Sequence, residues 1–340
     1  NIVMIMINLG NGCVFRTHSY LKNIIMRFLK KISILLIFIA QNAVGFGQHS
    51  CDIIEEKYYD NVAKAVLNYK KGNFYESYIQ LKTMSERCEL SNSTEYSELY
   101  VFAKLSIRYK DYDNATSSIK KLVSTYGYKL SNFTKIPHYQ FLRKHKNWRE
   151  FKKQMSYLEH DFVSDTALVI TFQQMGFLDQ FIRIRYLDSC KNRQHDSAEL
   201  KKIQLSFAPL MDSIDSCNCH FLVDYLQQGR KPVLSQSHQQ QVYFVFLSIV
   251  LHCATQSVSE ELSLLLKNAI CSYQLSPVFY AALIDRKRMS QNRLFVYGFY
   301  DNITEKQIED FPNIDKQRFS IGLPAYSTEK ELKNLKTHNH

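Results

Sequence analysis

The side chains with acid/base or anion-binding chemistry in the C-terminal half of this sequence lie in otherwise apolar segments. His252 follows the predominantly apolar run 242–251. Asp179, Gln180 and Arg183 form a compact motif among phenylalanine, leucine and isoleucine residues. An imidazole exchanges protons near neutral pH, and a carboxylate beside it tunes that exchange. We therefore take His252 and Asp179 as candidate catalytic residues, and Gln180 and Arg183 as candidate ligand-binding residues.

These residues also have a structural interpretation. Asp179 and Arg183 are four residues apart, so on a helix they form an ion pair without any ligand. If that pair is partly buried, the guanidinium instead offers a planar fork to a carboxylate or phosphate. A histidine that ends an apolar run is commonly a hydrogen-bonded core residue. Both interpretations stay open at the level of sequence.

A second polar group follows near the C-terminus. Asp285 and Arg286 end a helix that is predicted to start at Pro277. The β-branched and aromatic residues that follow predict a small two-stranded β-ribbon at 287–297. Side chains at such a junction commonly face a cleft, so Asp285 is the third candidate catalytic residue and Arg286 a candidate ligand-binding residue. The alternative is a buried structural salt bridge.

The order of several short motifs over residues 160–326 resembles a known family. The motifs are Tyr280-Ala-Ala-Leu-Ile-Asp285-Arg286, Tyr297-Gly298, and Ile314-Asp315-Lys-Gln-Arg318 followed by Gly322-Leu323-Pro324. They resemble the C-terminal half of a bacterial family known only as domain of unknown function 6624. The resemblance brings no reaction with it, but it implies that Tyr297 and Arg318 belong to the ligand-binding set. The chain departs from the family at Phe299 and Tyr300, where members carry threonine and glutamine.

Polar residues in apolar helices must find partners. We therefore expect at least three of six residues to meet in one network at the centre or cleft of the domain: Asp179, Arg183, His252, Asp285, Arg286 and Arg318.

The elements that position these residues are predicted to be mainly helices. A shift of 38 residues pairs Ala65 with Ala103 and Leu81 with Ile119, among others, across two Gly-Asn or Asp-Asn turn motifs. The pattern resembles tetratricopeptide repeats and predicts helical hairpins over 55–127. Because two such hairpins do not bury their faces alone, a third element must cap them.

The cap is predicted to be a basic amphipathic helix within the bridging segment 128–158. Trp148, Phe151, Met155 and Leu158 recur at helical spacing on one stripe. The fold class is therefore mostly α, with tetratricopeptide-like hairpins followed by the helical domain 160–326 with its ribbon and a polar tail at 327–340.

The N-terminal segment 1–47 is predicted to be upstream sequence plus a signal peptide. Lys30 and Lys31 precede the apolar run 32–40, and small residues follow up to Gly47. This three-part pattern directs secretion, and the run is too short to span a bilayer. The protein is therefore expected to be exported, periplasmic or secreted, with no stable membrane span after cleavage.

Charge and cysteine usage limit the partners. The whole chain carries 43 basic and 32 acidic residues. Because five of the basic residues and none of the acidic ones lie in 1–47, the remainder has a net charge of only +6, which does not indicate nucleic-acid binding. Cys217-Asn-Cys219-His220 lacks the spacing of a zinc site, and Cys253 and Cys271 are predicted to be small core residues.

No phosphate-binding loop, nucleophile elbow or zinc-protease motif occurs in the sequence, so no cofactor and no metal are expected. Two functions remain. The first is an exported interaction protein that uses its helical repeats to bind a protein, a peptide or a cell-envelope partner. The alternative is a hydrolase-like or acid/base enzyme with His252 as the base.

Overall fold

The protein is mostly α-helical, as the sequence predicts. A computed structural model describes Ile54 and residues 57–191, 197–229, 236–271 and 275–337. These residues form thirteen α-helices, three short 3-10 helices and no β-strand. None of the described helices combines the length and apolar character needed to cross a membrane. The expected signal peptide and the rest of 1–47 lie outside the described residues.

Two helical hairpins open the fold, at the repeat spacing of the sequence. Their helices are α1 (Tyr58–Lys71), α2 (Phe74–Arg87), α3 (Glu98–Arg108) and α4 (Tyr112–Tyr126). Ala65 and Ala103, which the 38-residue shift pairs, are both completely buried, as are Leu81 and Ile119. The same positions therefore face the core in both hairpins, and α2 packs against α3 to stack one hairpin on the other.

The bridging segment 128–158 covers one end of this stack. It contains a 3-10 turn and two helices, α5 (Gln140–Lys144) and α6 (Trp148–Asp161), so it is not one continuous helix. The predicted stripe on α6 is confirmed, because Phe151 and Met155 are buried in the hairpin core and Trp148 packs against it. Helix α6 lies against α4 and caps the second hairpin.

The C-terminal segment covers the other end of the stack. Residues 327–340, predicted to be a polar tail, belong over their described part to α13 (Tyr326–Thr337). This helix packs against α1 and buries Leu332 in the hairpin core. The composition is polar because only one stripe of the helix faces the core. The hairpins, the bridging segment and α13 thus contribute to one hydrophobic cluster.

The second half is a bundle of five helices around its own apolar cluster. They are α7 (Thr166–Lys191), α8 (Ser197–Gln227), α9 (Gln236–Cys253), α10 (Ser259–Cys271) and α11 (Pro277–Ser290). A disulfide joins Cys219 of α8 to Cys253 of α9, with Cα atoms 5.6 Å apart. The prediction that Cys253 and Cys271 are small core residues is confirmed for Cys253, which is completely buried although it is disulfide-bonded. It is wrong for Cys271, which is an exposed free thiol.

The predicted β-ribbon at 287–297 is not formed. Helix α11 continues to Ser290, and among the described residues the only bridge in this region joins Phe295 to Ile308. The backbone N–H groups of Val296 and Tyr297, which a ribbon would pair with a strand, are bonded by the carboxylate of Asp285. A short helix, α12 (Ile314–Phe319), then precedes α13.

Asp111 joins the two hairpins and provides a pH-dependent contribution to stability. Its carboxylate caps α4 by accepting the Asn114 N–H at 3.2 Å, and it also accepts the Tyr78 hydroxyl at 2.5 Å and pairs with Lys82 at 3.2 Å. Burial raises the pKa of Asp111, but these partners outweigh it and lower the pKa to about 2. A folded-state pKa below the unfolded one stabilises the fold above about pH 4.

We expect Asp111→Asn to lower the free energy of unfolding at pH 6 by about 1 kcal/mol, a value reduced for solvent screening. As the pH falls from about 4 towards 2, the difference from the unmodified protein should shrink, because the native carboxylate is then protonated. Urea unfolding at several pH values measures this. Asp113→Asn, at an exposed position two residues away, is the matched control. A deficit that stays constant with pH would contradict the assignment.

Candidate functional site

Three neighbouring helices of the bundle bring the main polar residues together. Leu168, Phe172, Met175, Asp179 and Ile182 recur every three or four residues and form the buried face of α7. Asp179 is therefore directed into the bundle with the apolar residues, and Arg183 lies one turn further along. Asp215 enters from α8 and His252 from the end of α9.

The guanidinium of Arg183 lies between two carboxylates. Its Nη2 is 3.1 Å from Asp179 Oδ1 and 2.5 Å from Asp215 Oδ1, and its Nε donates to Asp179 Oδ1 at 3.1 Å. Gln180 donates to the second oxygen of Asp179 at 2.7 Å. The predicted i, i+4 ion pair is confirmed, and it is extended by a partner from another helix.

His252 lies beside this pair of carboxylates. Its Nδ1 is 3.0 Å from Asp179 Oδ1 and 3.7 Å from Asp215 Oδ1. The angle at His252 Nδ1 does not meet hydrogen-bond geometry, so the interaction of the imidazole with the carboxylates is a short-range electrostatic one. About a fifth of the imidazole is exposed, whereas Asp179 is almost completely buried. One edge of the ring thus faces the carboxylates and another part reaches the surface.

The electrostatic balance favours the charged forms of Asp179 and Arg183. Burial raises the pKa of Asp179, but His252 and Arg183 outweigh it, so the pKa lies below its ordinary value. Burial alone would lower the pKa of Arg183, but the carboxylates of Asp215 and Asp179 outweigh burial, so the pKa of Arg183 is raised above its ordinary value. A guanidinium and two carboxylates held this way form a network that is costly to break, because removing one member leaves a buried charge unpaired.

Asp179, Asp215 and His252 also have the types and spacing of metal ligands. One donor atom from each lies within 4.8 Å of the others. However, Arg183 already contacts both carboxylates, so a metal ion would compete with a fixed cation for the same oxygens. The donor set therefore fits an internal ion network better than a metal centre.

The candidate residue Asp285 belongs to a second network, at the end of α11. Its buried carboxylate accepts the backbone N–H groups of Val296 at 2.8 Å, Tyr297 at 3.1 Å and Phe299 at 2.9 Å. Burial raises the pKa of Asp285, and these hydrogen bonds and Arg318 offset only part of that effect. The carboxylate thus binds the backbone of the loop 296–299. The predicted contact between Asp285 and His252 is not seen among the described contacts.

Arg318 completes the second network from α12. It is buried, and it donates to the carbonyl oxygens of Pro324 at 2.7 Å and Tyr297 at 2.6 Å and to the carboxylate of Glu329. Glu329 lies on α13, so Arg318 fastens the loop to the C-terminal helix. The predicted ligand-binding residues Tyr297 and Arg318 are therefore occupied by contacts within the fold.

The glycine of the Tyr297-Gly298 motif is explained by the backbone conformation at that position. Gly298 has φ +65°, a conformation that L side chains rarely adopt. A Cβ atom at this position would lie 2.9 Å from the ring of Tyr326. The glycine therefore lets the loop curve around Asp285 and pass close to the start of α13. Arg286, the remaining candidate, is half-buried and lies near the sulfur of Met289 and the hydroxyl of Tyr300.

The expectation that at least three of the six residues share a network is confirmed by Asp179, Arg183 and His252. The expectation of one site was too broad, because Asp285 and Arg318 meet each other through Tyr297 in the second network. Whether any of these residues has a catalytic or ligand-binding role stays a prediction.

Asp215 was not among the site residues predicted from the sequence. Its signal was present, because Asp215, Cys219 and Leu222 recur at helical spacing on the buried face of α8. A carboxylate on such a face requires a hydrogen-bond donor or a cation as its partner. No basic residue lies one turn away on α8 itself, so the partner had to come from another helix.

No protein-family model, curated protein or solved structure matches this chain. The resemblance to the family of unknown function is therefore neither supported nor contradicted, and the roles it implies stay predictions.

We expect His252→Ala to lower the free energy of unfolding by about 1–3 kcal/mol, because Asp179 and Asp215 lose a polar neighbour in a partly buried site. Urea unfolding followed by circular dichroism measures the loss. His220→Ala, an exposed histidine on α8, is the matched control and should be close to neutral. A His252→Ala variant as stable as the unmodified protein would contradict the structural role and favour a functional one.

Proposed function

We propose that this protein is an exported interaction protein that binds a partner polypeptide through the outward face of α7. The supporting observation is a set of large apolar side chains on this helix, each 51% to 67% exposed: Ile170, Phe177, Leu178, Phe181, Ile184 and Leu187. Single exposed apolar residues are ordinary on a protein surface, but Phe177, Phe181 and Ile184 recur at helical spacing on one face, which is typical of an interaction site.

The buried ion network sets the direction of this face. Asp179 lies two residues from both Phe177 and Phe181, and two residues turn an α-helix by about 200°. The network draws Asp179 towards α8 and α9, so the two phenylalanines are directed away from the bundle. The two phenylalanines are therefore held outward by charges that are expensive to unpair.

The chemistry of the face indicates its partner. Phe177 and Phe181 stack with ring centroids 5.8 Å apart, and the guanidinium of Arg185 lies 5.9 Å from the ring of Phe181. Flat aromatic area beside a cation suits the apolar side of an amphipathic helix that carries an acidic residue at its edge. We therefore assign the partner as a protein or peptide segment of that kind.

In this proposal the N-terminal hairpins are tetratricopeptide-like and provide the rigid base of the binding module. Their stacking and 38-residue repeat support the comparison with that repeat class. The ends of the stack are occupied by α6 and α13 of the same chain. The hairpins thus contribute stability and orientation, and the family-like C-terminal domain contributes the contact surface.

A photo-crosslinking residue tests the surface in the native host. Placed at Phe177, it should give a discrete adduct with another polypeptide, and Ile184→Asp in the same chain should reduce that adduct severalfold. The matched control is the same residue at Tyr157 of α6, which is equally exposed but isolated. Equal adducts from both positions, or none from Phe177, would refute the proposed surface.

Export is the second part of the proposal. The Cys219–Cys253 disulfide supports it, and Cys88 is disulfide-bonded as well. Disulfides persist in oxidising compartments and are rare in the cytosol. Together with the N-terminal signal pattern, this leads us to expect a mature chain that begins near Gln48. Mass spectrometry of the protein from its native host measures where the mature chain begins. An intact N-terminus on protein in the cytosol would refute the prediction of export.

A hydrolase-like or acid/base enzyme is the second candidate. The observation that favours it is the short distance from His252 Nδ1 to the buried Asp179, with part of the ring exposed, since a carboxylate behind an imidazole orients a general base. Arg183 contacts the same Asp179 oxygen that lies nearest His252, and it also contacts Asp215, which suits a structural network equally well. The stability of His252→Ala separates the two functions.

A further inference from the structure

A cavity of about 170 Å³ lies where the hairpins meet the helical bundle. The loop 91–95 and the helices α1 and α4 line one side, and α7, α8, α9 and α11 line the other. Seven of its lining side chains are aromatic: Tyr59, Tyr126, Phe172, Tyr225, Tyr243, Phe246 and Phe279. The cavity is partly open to solvent, so a small molecule can reach it.

Glu95 is the one acidic side chain among the described lining residues, and none of them is basic. Its Oε1 atom is buried and has no hydrogen-bond partner within the described structure. The hydroxyls of Ser276 and Tyr243 lie against the same carboxyl group. Burial raises the pKa of Glu95, and hydrogen bonds from Ser276 and Tyr243 offset only part of that effect.

The wall around Glu95 is fixed. The neighbouring buried carboxylate of Glu98 accepts the Ser91 hydroxyl at 2.6 Å, the Ser93 hydroxyl at 2.7 Å and the Ser93 N–H at 3.0 Å. On the opposite side, the hydroxyl of Ser276 caps α11 by accepting the Val278 N–H at 3.3 Å. The loop and the helix start are therefore held in place whether or not Glu95 has a partner.

We propose that this cavity binds a small organic amine, with its ammonium group at Glu95 and an apolar ring among the phenylalanines. A buried carboxylate is unfavourable unless it is paired, and an ammonium ion supplies the missing charge. Aromatic faces attract cations, whereas an anionic ligand would meet no basic group among the described lining residues. An apolar cavity of roughly 150 Å³ accommodates benzene, so one ring with a short amine chain fits the size.

Three probes of nearly equal shape test the charge requirement: 2-phenylethylamine, 2-phenylethanol and phenylacetate. Isothermal titration calorimetry with the full chain should show the amine binding at least about tenfold more tightly than the alcohol, and no measurable binding of phenylacetate. Equal binding of the amine and the alcohol, or tighter binding of the acid, would overturn the proposal. This comparison needs no variant.

Two variants test the location. Glu95→Gln keeps the shape of the side chain and should weaken amine binding about tenfold or more while leaving alcohol binding unchanged. Glu150→Gln, which removes the same charge from an exposed position on α6, should leave both unchanged. Val242→Phe places a ring in the cavity and should abolish binding of both probes. Unaltered amine binding by Glu95→Gln and Val242→Phe, each verified as folded by circular dichroism, would refute this site.

Discussion

The arrangement of the helical bundle depends on how the guanidinium of Arg183 is neutralised. Arg183 lies between the carboxylates of Asp179 and Asp215, and the latter comes from a different helix. A partly buried ion network of this kind tolerates few arrangements, because displacing Arg183 leaves the buried charge of Asp179 uncompensated. The pair from α7 therefore fixes the rotation of that helix relative to α8. His252 then fixes the end of α9 against both.

Several carboxylates elsewhere in the chain organise irregular segments in the same way. Asp285 collects three backbone N–H groups of the loop 296–299, and Glu98 binds the loop that precedes its own helix. Asp60 accepts the N–H of Ala325 and joins α1 to the start of the C-terminal helix. Where a sheet would satisfy backbone groups with other backbone groups, this fold uses charged side chains that lie on helices.

The two proposed binding sites, the outward face of α7 and the cavity at Glu95, use different parts of this fold. The outward face of α7 carries exposed apolar side chains, which suits a polypeptide partner. The cavity at Glu95 is partly open to solvent and has a single charged group among its described lining residues, which suits a small cation. They share α7, since Phe172 lines the cavity on its buried side while Phe177 is exposed. Because the two sites lie on different sides of this helix, ligand binding in the cavity can be measured independently of partner binding at the outward face.

The sequence by itself determined the helical class, the repeat of the hairpins and the ion pair within α7. These follow from interactions between residues three or four apart, or from a spacing that repeats along the chain. Side-chain polarity in apolar helices also predicted that several polar residues would meet in one network, and Asp179, Arg183 and His252 do so.

Only the tertiary structure decided which partners satisfy them. The contact of Asp215 with Arg183, the disulfide between Cys219 and Cys253, and the hold of Asp285 on the loop all join residues that local periodicity does not relate. The β-ribbon failed for the same reason, because a β-rich run forms a strand only if another strand accepts its hydrogen bonds. Here a carboxylate on a helix took that place, and neither propensity nor spacing within the run contains that information.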